Sequence, residues 1–255
     1  TSMTTKAFTF VGTAETATTP GHFVITTAGT AAHDITLGGG NDSYISTNTA
    51  GANTVVATAG TNTITTGGGG DGITLGTGVD TVTAGDGNDT ITTATLNLVS
   101  TDTIAGGAGT DTLALSNAAT VVDADFTLIT SVEKINSGNN AMTLTLGAAS
   151  LAAGITTVTH GTGANTLTVG AGHTAALTVA LVAGTDTVTA TSYTGALTVT
   201  AAEQSLTSGD TITGGTGTSD TLTITGDTGG VAAADLINVT KIETFKTGSN
   251  VAVNL

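Results

Sequence analysis

Residues 66–91 read TGGGGDGITLGTGVDTVTAGDGNDTI, and the phase of this stretch decides the fold. One frame recurs three times, nine residues apart. Asp71, Asp80 and Asp89 share one position, and Ile73, Val82 and Ile91 stand two residues further on. Glycine precedes each Asp by two residues (Gly69, Gly78, Gly87) and by four (Gly67, Gly76, Gly85). Backwards, Asn62 with Ile64 and Asn53 with Val55 hold the matching slots. An eleven-residue step then leads to Asp42 within LGGGNDSY at 37–44, where Gly38 and Gly40 take the glycine positions. Nine residues is too short for a helix-turn-helix repeat and does not match a heptad. It fits a six-residue turn followed by a three-residue strand, so that two repeats make one coil of a parallel solenoid. The large apolar residue points inward and stacks on its counterparts in parallel strands. A disordered Gly/Thr linker would not keep an apolar residue in phase.

The glycines permit positive φ in the turn and aim its carbonyls at a common point. Ca²⁺ takes six to eight oxygens, mixing carboxylate with carbonyl. One turn offers an Asp and a few carbonyls; two stacked turns offer about twice that. The pattern resembles the nonapeptide repeats of RTX proteins, G-G-x-G-x-D-x-U-x, which bind calcium in a β-roll. The resemblance covers residues 37–91 and returns in IAGGAGTDTL at 104–113, with Gly107 and Gly109, and in ITGGTGTSDTL at 212–222. It implies several Ca²⁺ ions, with Asp71, Asp80 and Asp89 as the leading ligands. Asp42, Asp102, Asp111, Asp210 and Asp220 follow, then Asn53 and Asn62, whose other reading is an Asx turn. Stacked partners lie eighteen residues apart: Asp71 with Asp89 and with Asn53, and Asp80 with Asn62. Asp86 and Asn88 fall in variable slots and face solvent.

Composition agrees with a solenoid. The 255 residues include 37 Gly, one Pro, no Cys and no Trp, and only 3% are aromatic. The core must therefore be Val, Ile, Leu and Ala, which suits narrow aliphatic rungs better than a globular enzyme interior. Thr alternates with apolar residues, as in TVT at 81–83, LTV at 167–169 and LTV at 197–199, a period-two strand pattern. Net charge is −15, with four lysines and no arginine, so no basic patch exists to neutralise nucleic-acid phosphate. Such a chain repels itself when compact, and bound Ca²⁺ relieves that, which links folding to metal. Without cysteine, calcium takes over the stapling of an extracellular protein. No segment reads as a signal peptide, and no apolar run approaches the ~18 residues of a membrane span. The first residues, Thr1, Ser2 and Met3, read as a vector-derived scar. The chain stops within a strand pattern, VAVNL at 251–255, and reads as a fragment of a larger protein.

The expected fold is all-β: a parallel β-roll or β-solenoid with calcium-binding turns and short capping helical turns. Residues 1–36 carry two apolar runs around Pro20, AFTFV at 7–11 and HFVI at 22–25, and read as N-terminal capping strands or an interface to a preceding domain. Residues 37–115 are the calcium roll, with 93–99 inserted as an extra rung or bulged coil. Residues 116–146 close the module with a helical or 3₁₀ turn at 125–131, a strand at 132–135 and another at 142–146. Residues 147–205 keep the rungs but lose the acids, a metal-poor solenoid in which only Asn165 and Asp186 sit near the slot. Residues 206–255 repeat the 98–145 module about 110 residues later: DTIAGG at 102–107 matches DTITGG at 210–215, and DFTLITSVE at 125–133 matches DLINVTKIE at 235–243.

Glu133 and Glu243 occupy matching places in that alignment, so they are structural or add calcium ligands. His22, His33, His160 and His173 show no metal spacing, and neither H-E-x-x-H, G-x-S-x-G nor a cysteine nucleophile occurs. Enzyme activity is not expected. The Thr/Ala/Gly/Val-rich, arginine-free sequence also resembles the surface-layer subset of RTX proteins, with their tandem solenoid modules. That resemblance implies a secreted Gram-negative cell-surface protein, exported by a type I system. It self-associates into a calcium-dependent two-dimensional lattice, with cell-surface polysaccharide bound through another domain. An adhesin or biofilm-matrix spacer is the second reading, and the calcium-folded tail of a type I-secreted enzyme the third.

Overall fold

The structure, a computed structural model, describes residues 7–12, 21–94, 98–117, 120–226, 230–248 and 253–254. It divides into two compact units, Thr1–Leu115 with Leu128–Glu133, and Ser116–Thr127 with Lys134–Leu255. Each unit is a parallel β-solenoid with two sheets, and alternate strands along the chain go to alternate sheets. In the first unit one sheet runs Phe8–Val11, His33–Leu37, Thr54–Ala57, Gly72–Leu75, Thr90–Thr93, Thr112–Leu115. The other runs Val24–Gly29, Ser43–Asn48, Thr63–Gly68, Thr81–Asp86, Thr103–Ala108, Ile129–Thr130. The stretch expected to cap the solenoid thus supplies parallel rungs of its own, with Phe10 edge-on to Phe23 at 4.9 Å. Pro20 and residues 95–97 of the expected insertion lie outside the described residues.

Register carries the nine-residue phase into three dimensions. Ile35, Val55, Ile73, Ile91 and Leu113 stack in one file, and Tyr44, Ile64, Val82, Ile104 and Ile129 in the other. Each is at most 2% exposed, and each contributes roughly 1.5–3 kcal/mol by leaving water. Tyr44 fits this aliphatic file because its hydroxyl meets Thr27 Oγ1 at 3.0 Å. The second unit repeats the plan with Ile135, Val158, Val179, Val199, Leu222 and with Val121, Leu144, Leu167, Val188, Ile212. There Thr143, Thr166, Thr187 and Thr211 form an in-register row on the outward side, where β-branched side chains suit the pleat.

Helical structure is sparse. The turn expected at 125–131 is a 3₁₀ helix at Asp123–Phe126, and its twin lies at Ala233–Leu236. The strand expected at 132–135 forms instead at Lys134–Asn136, because Val132 and Ile135 are both buried while Ser131 takes φ 53° between two strands. A short α-helix at Ala148–Ala153, bounded by Gly147 and by Gly154 at φ 103°, was not anticipated. No described helix is long and apolar enough to cross a membrane.

The glycine turns stack as tightly as the strands. Gly85 lies at φ 109°, and a Cβ there would stand 1.8 Å from the Gly67 carbonyl of the preceding coil. Gly72 has nothing within 4 Å of that position and pairs with Thr54 and Thr90. We expect Gly85→Ala to lower unfolding free energy by at least about 2 kcal/mol, combining backbone strain with the clash. Gly72→Thr is expected to raise it by about 0.5–1 kcal/mol by restoring strand propensity. Denaturant titration of both variants reads the difference, and equal effects would contradict the stacking.

Candidate metal site

The residue just before each strand of the first unit carries the site. In one file His33, Asn53, Asp71, Asp89, Asp111 and Glu133 succeed each other from coil to coil. The main-chain N–H of each donates to the side-chain oxygen of the next: His33 to Asn53 Oδ1, Asn53 to Asp71 Oδ1, Asp71 to Asp89 Oδ1, Asp89 to Asp111 Oδ1, and Asp111 to Glu133 Oε2, at 2.5–3.2 Å. On the other side Phe23, Asp42, Asn62, Asp80 and Asp102 do the same at 2.9–3.1 Å. Asn53 with Asp71, Asp71 with Asp89 and Asn62 with Asp80 are the pairs that the eighteen-residue spacing requires, while the steps to Asp102, Asp111 and Glu133 are 22 residues long. Carbonyls complete the link: Asp71 accepts from Thr90, Asp89 from Thr112 and Asn62 from Thr81, each at 2.8 Å.

The slot accepts Asn or Asp for the same reason. Without a side-chain oxygen there, a buried N–H loses its acceptor, which costs about 1–3 kcal/mol. Asn53 and Asn62 also use their amide nitrogens, on Thr66 O with Asp71 Oδ1 and on Gly60 O with Asp80 Oδ1. An Asp has no such donor. Its second oxygen needs a partner, and here the acids divide. Oδ2 of Asp42, Asp71, Asp89 and Asp111 is buried and accepts no hydrogen bond. In Asp102 it accepts from Val99, in Asp210 from Thr207 and in Asp220 from Gly215. Asp210 and Asp220 otherwise repeat the first unit: their Oδ1 atoms accept from Asp186 and Leu197, and Asp220 donates to Glu243 Oε2 as Asp111 does to Glu133.

The glycines surround these files. Gly67, Gly69, Gly78, Gly85, Gly87, Gly107 and Gly109 all have positive φ, while Gly76 is held by closeness alone, 2.0 Å from the Thr58 carbonyl to a notional Cβ. The Gly38 carbonyl accepts from the Thr58 hydroxyl, and that of Gly40 presses on Gly60. The carbonyls of Gly67, Gly69, Gly85 and Gly87 point along the stacking axis at the glycine of the next coil rather than at one common point. Asp86 and Asn88 are exposed, and Asn88 Oδ1 accepts the Thr110 N–H across coils.

Burial sets the electrostatics. It raises the carboxyl pKa of Asp71, Asp80, Asp102 and Asp111, and pushes Asp89 up to about 6, with the charges of Asp71 and Asp111 adding to it. Among the described residues no three His, Asp or Glu side chains converge as a metal cluster. A cation between coils would therefore draw on two carboxylates and main-chain oxygens, the mixed oxygen set that Ca²⁺ accepts. The unpartnered Oδ2 atoms of Asp71, Asp89 and Asp111 fit such an ion, and Asp42 offers a further one.

The periodic frame leaves half-buried Asp123 and buried Asn48 unmarked. Asp123 accepts N–H groups of Gly147, Ala149 and Ser150. Burial alone would raise its pKa, but those donors outweigh it and hold the carboxyl below its usual range. Asn48 caps its own turn through Ala50 and Gly51. Neither sits in the nine-residue phase: Asp123 is satisfied by the turn at 147–150 and Asn48 by its own turn. Comparison with known proteins finds no matching family, no matching characterised protein and no matching solved structure.

The raised pKa values give a sign for the metal-free chain. A folded state that holds protons the unfolded chain releases is favoured at low pH. That contribution is complete below the ordinary value of 3.8 and is lost as pH rises through about 6 at Asp89. In excess chelator we expect the urea midpoint to rise as pH is lowered from about 7 to about 5, and Asp89→Asn to flatten that rise. A midpoint that falls over this interval contradicts the burial of charge.

Proposed function

We propose that the chain is a structural, non-catalytic segment of a secreted RTX-type protein, in which Ca²⁺ ions staple the coils of an acidic solenoid. The observation that carries this reading is the file Asp71, Asp89, Asp111, three stacked buried carboxylates whose Oδ2 atoms have no donor. Adjacent coils stand about 4.8 Å apart, so full ionisation without a counter-charge is strongly unfavourable. A hard dication with oxygen ligands neutralises two carboxylates at once. The net charge of −15 over four lysines extends the same need to the whole chain.

We further propose that the protein belongs to a cell-surface layer, self-associating into a calcium-dependent lattice, with polysaccharide attachment through another domain. Support comes from the arginine-free, Thr/Ala/Gly/Val-rich composition and from the tandem module, whose two copies end in the same Asp–Glu contact. That tandem favours a lattice segment over the tail of a secreted enzyme. A solenoid whose coils contact only their neighbours also suits an adhesin spacer.

Three experiments test this reading. Asp71→Asn keeps the Oδ1 acceptor, whereas Asp71→Ala removes it. In chelator we expect the Asn variant to be at least as stable as the parent, because it removes a buried charge, and the Ala variant to lose about 1–3 kcal/mol relative to the Asn variant. On adding Ca²⁺, both should gain less stability than the parent, and a full calcium response from Asp71→Asn would sink the ligand assignment. Hydrogen exchange should show amides of 37–115 losing protection on chelation while those of 147–205 keep it. Electron microscopy with Ca²⁺ should show ordered sheets; isolated rods would favour the spacer, and unchanged exchange in chelator would remove calcium from the account.

A further inference from the structure

The metal-poor stretch of the second unit contains a polar site of different chemistry. The turn before Thr166–Val169 reads His160-Gly-Thr-Gly-Ala-Asn165, so Asn165 holds the ladder slot two residues ahead of buried Leu167. Its main-chain N–H and its Nδ2 both donate to Asp186 Oδ1, at 3.0 and 3.1 Å. Nδ2 also reaches the carbonyls of Gly161 at 3.3 Å and Gly163 at 2.8 Å. Three acceptors around Nδ2 set the orientation of the amide, and its Oδ1 is left without a donor. Asp186 Oδ1 already receives two N–H groups, and Asp186 Oδ2 receives none. His160 lies against this pair, with Nδ1 3.4 Å from Asp186 Oδ1, and that nitrogen makes no hydrogen bond. His160 and Asp186 are each 1% exposed and Asn165 is 2% exposed.

An imidazole nitrogen, a carboxylate oxygen and an amide oxygen are therefore buried and unpartnered in one turn and the coil stacked on it. Each such atom costs about 1–3 kcal/mol if left so. A protonated imidazole does not resolve this, because the oxygen nearest Nδ1 is the saturated one and Asn165 Oδ1 stays unserved. We propose that His160, Asn165 and Asp186 bind a divalent transition metal of the zinc class. A nitrogen donor among oxygens selects a borderline cation over Ca²⁺. His160 Nδ1 stands 3.4 Å from Oδ1 of the Asp186 carboxyl, so the group that carries the free Oδ2 lies beside the free imidazole nitrogen. The other two buried imidazoles differ: His173 Nδ1 is occupied by Ser150 Oγ, and His33 stands in the slot itself. The site is independent of the calcium reading, since it shares no residue with the Asp71 file.

Cobalt(II) is the probe. The full chain, saturated with Ca²⁺, is titrated with Co²⁺ and the visible d–d absorption is followed, with Zn²⁺ as competitor. We expect one equivalent bound with nitrogen ligation and displaced by Zn²⁺. His160→Ala and Asp186→Asn should each abolish that signal with far-UV circular dichroism unchanged; for Asp186→Asn the precedent is Asn53 and Asn62, which serve as acceptors in the same slot. Asp71→Asn should leave the signal intact. No Co²⁺ uptake beyond what Ca²⁺ displaces, or uptake that persists in both His160→Ala and Asp186→Asn, overturns the site; persistence would move it to another histidine such as exposed His22.

Discussion

The structure depends on one recurring hydrogen bond: the N–H of a slot residue donates to the side-chain oxygen of the slot residue one coil later. Strand ladders link the coils on the two sheets, but between turn and strand the chain bends and the main chain offers that N–H no acceptor. A buried Asx or Glu oxygen supplies it, at Asp71, Asp89, Asp111 and Glu133 in turn. The requirement is met equally by Asn, as Asn53 and Asn62 show. Acids in the slot thus bring a charge that the ladder itself does not need, and on our proposal that surplus is what calcium uses.

Much of this was legible before any coordinates. A period of nine, with an apolar residue held two places after each Asp, requires a parallel coil, and eighteen-residue spacing gives the partners of Asp71 and Asn62, though not the 22-residue steps to Asp102 and Asp111. Register then follows from Ile73 over Val55 and Ile91 over Ile73. The twin segments identified Glu133 and Glu243 as equivalent, and both end an Asp-bearing file in the same contact. What stayed hidden depends on neighbouring coils rather than on phase. Which Asp has a spare oxygen turns on whether Val99, Thr207 or Gly215 reaches back to it. The helix at Ala148–Ala153 had a local signal in its bounding glycines and Ala/Leu run, but it breaks the period and was overlooked for that reason. The 3₁₀ turn came two residues early because Asp125 accepts the Val122 N–H, a capping contact that apolar spacing does not reveal.

The two units solve the same packing problem with different polar inventories. In the first, the slots of one file are Asn, Asp, Asp, Asp, Glu, and burial raises three of the acids together. In the second, the slot acids are fewer, and Asp210 and Asp220 have both oxygens engaged by main-chain donors. Tyr193 is buried there, its hydroxyl bonded to Ala175 O and Ala196 O and its pKa pushed up to about 12 by burial. Among the described residues of the second unit, the turn at His160 and the coil stacked on it leave three polar atoms unserved. On our proposal, cation demand is uneven along the chain and greatest in the file of Asp71, Asp89 and Asp111.

The central claim, that cations sit beside the second oxygens of stacked aspartates, is tested most directly by anomalous diffraction from crystals grown with Ca²⁺ or with a lanthanide in its place. The account predicts peaks in the first unit beside Oδ2 of Asp71, Asp89 and Asp111, and none at Asp102 where Val99 already donates. Maps with no peak along that file, and with protonated carboxyls or ordered water in its place, would contradict it.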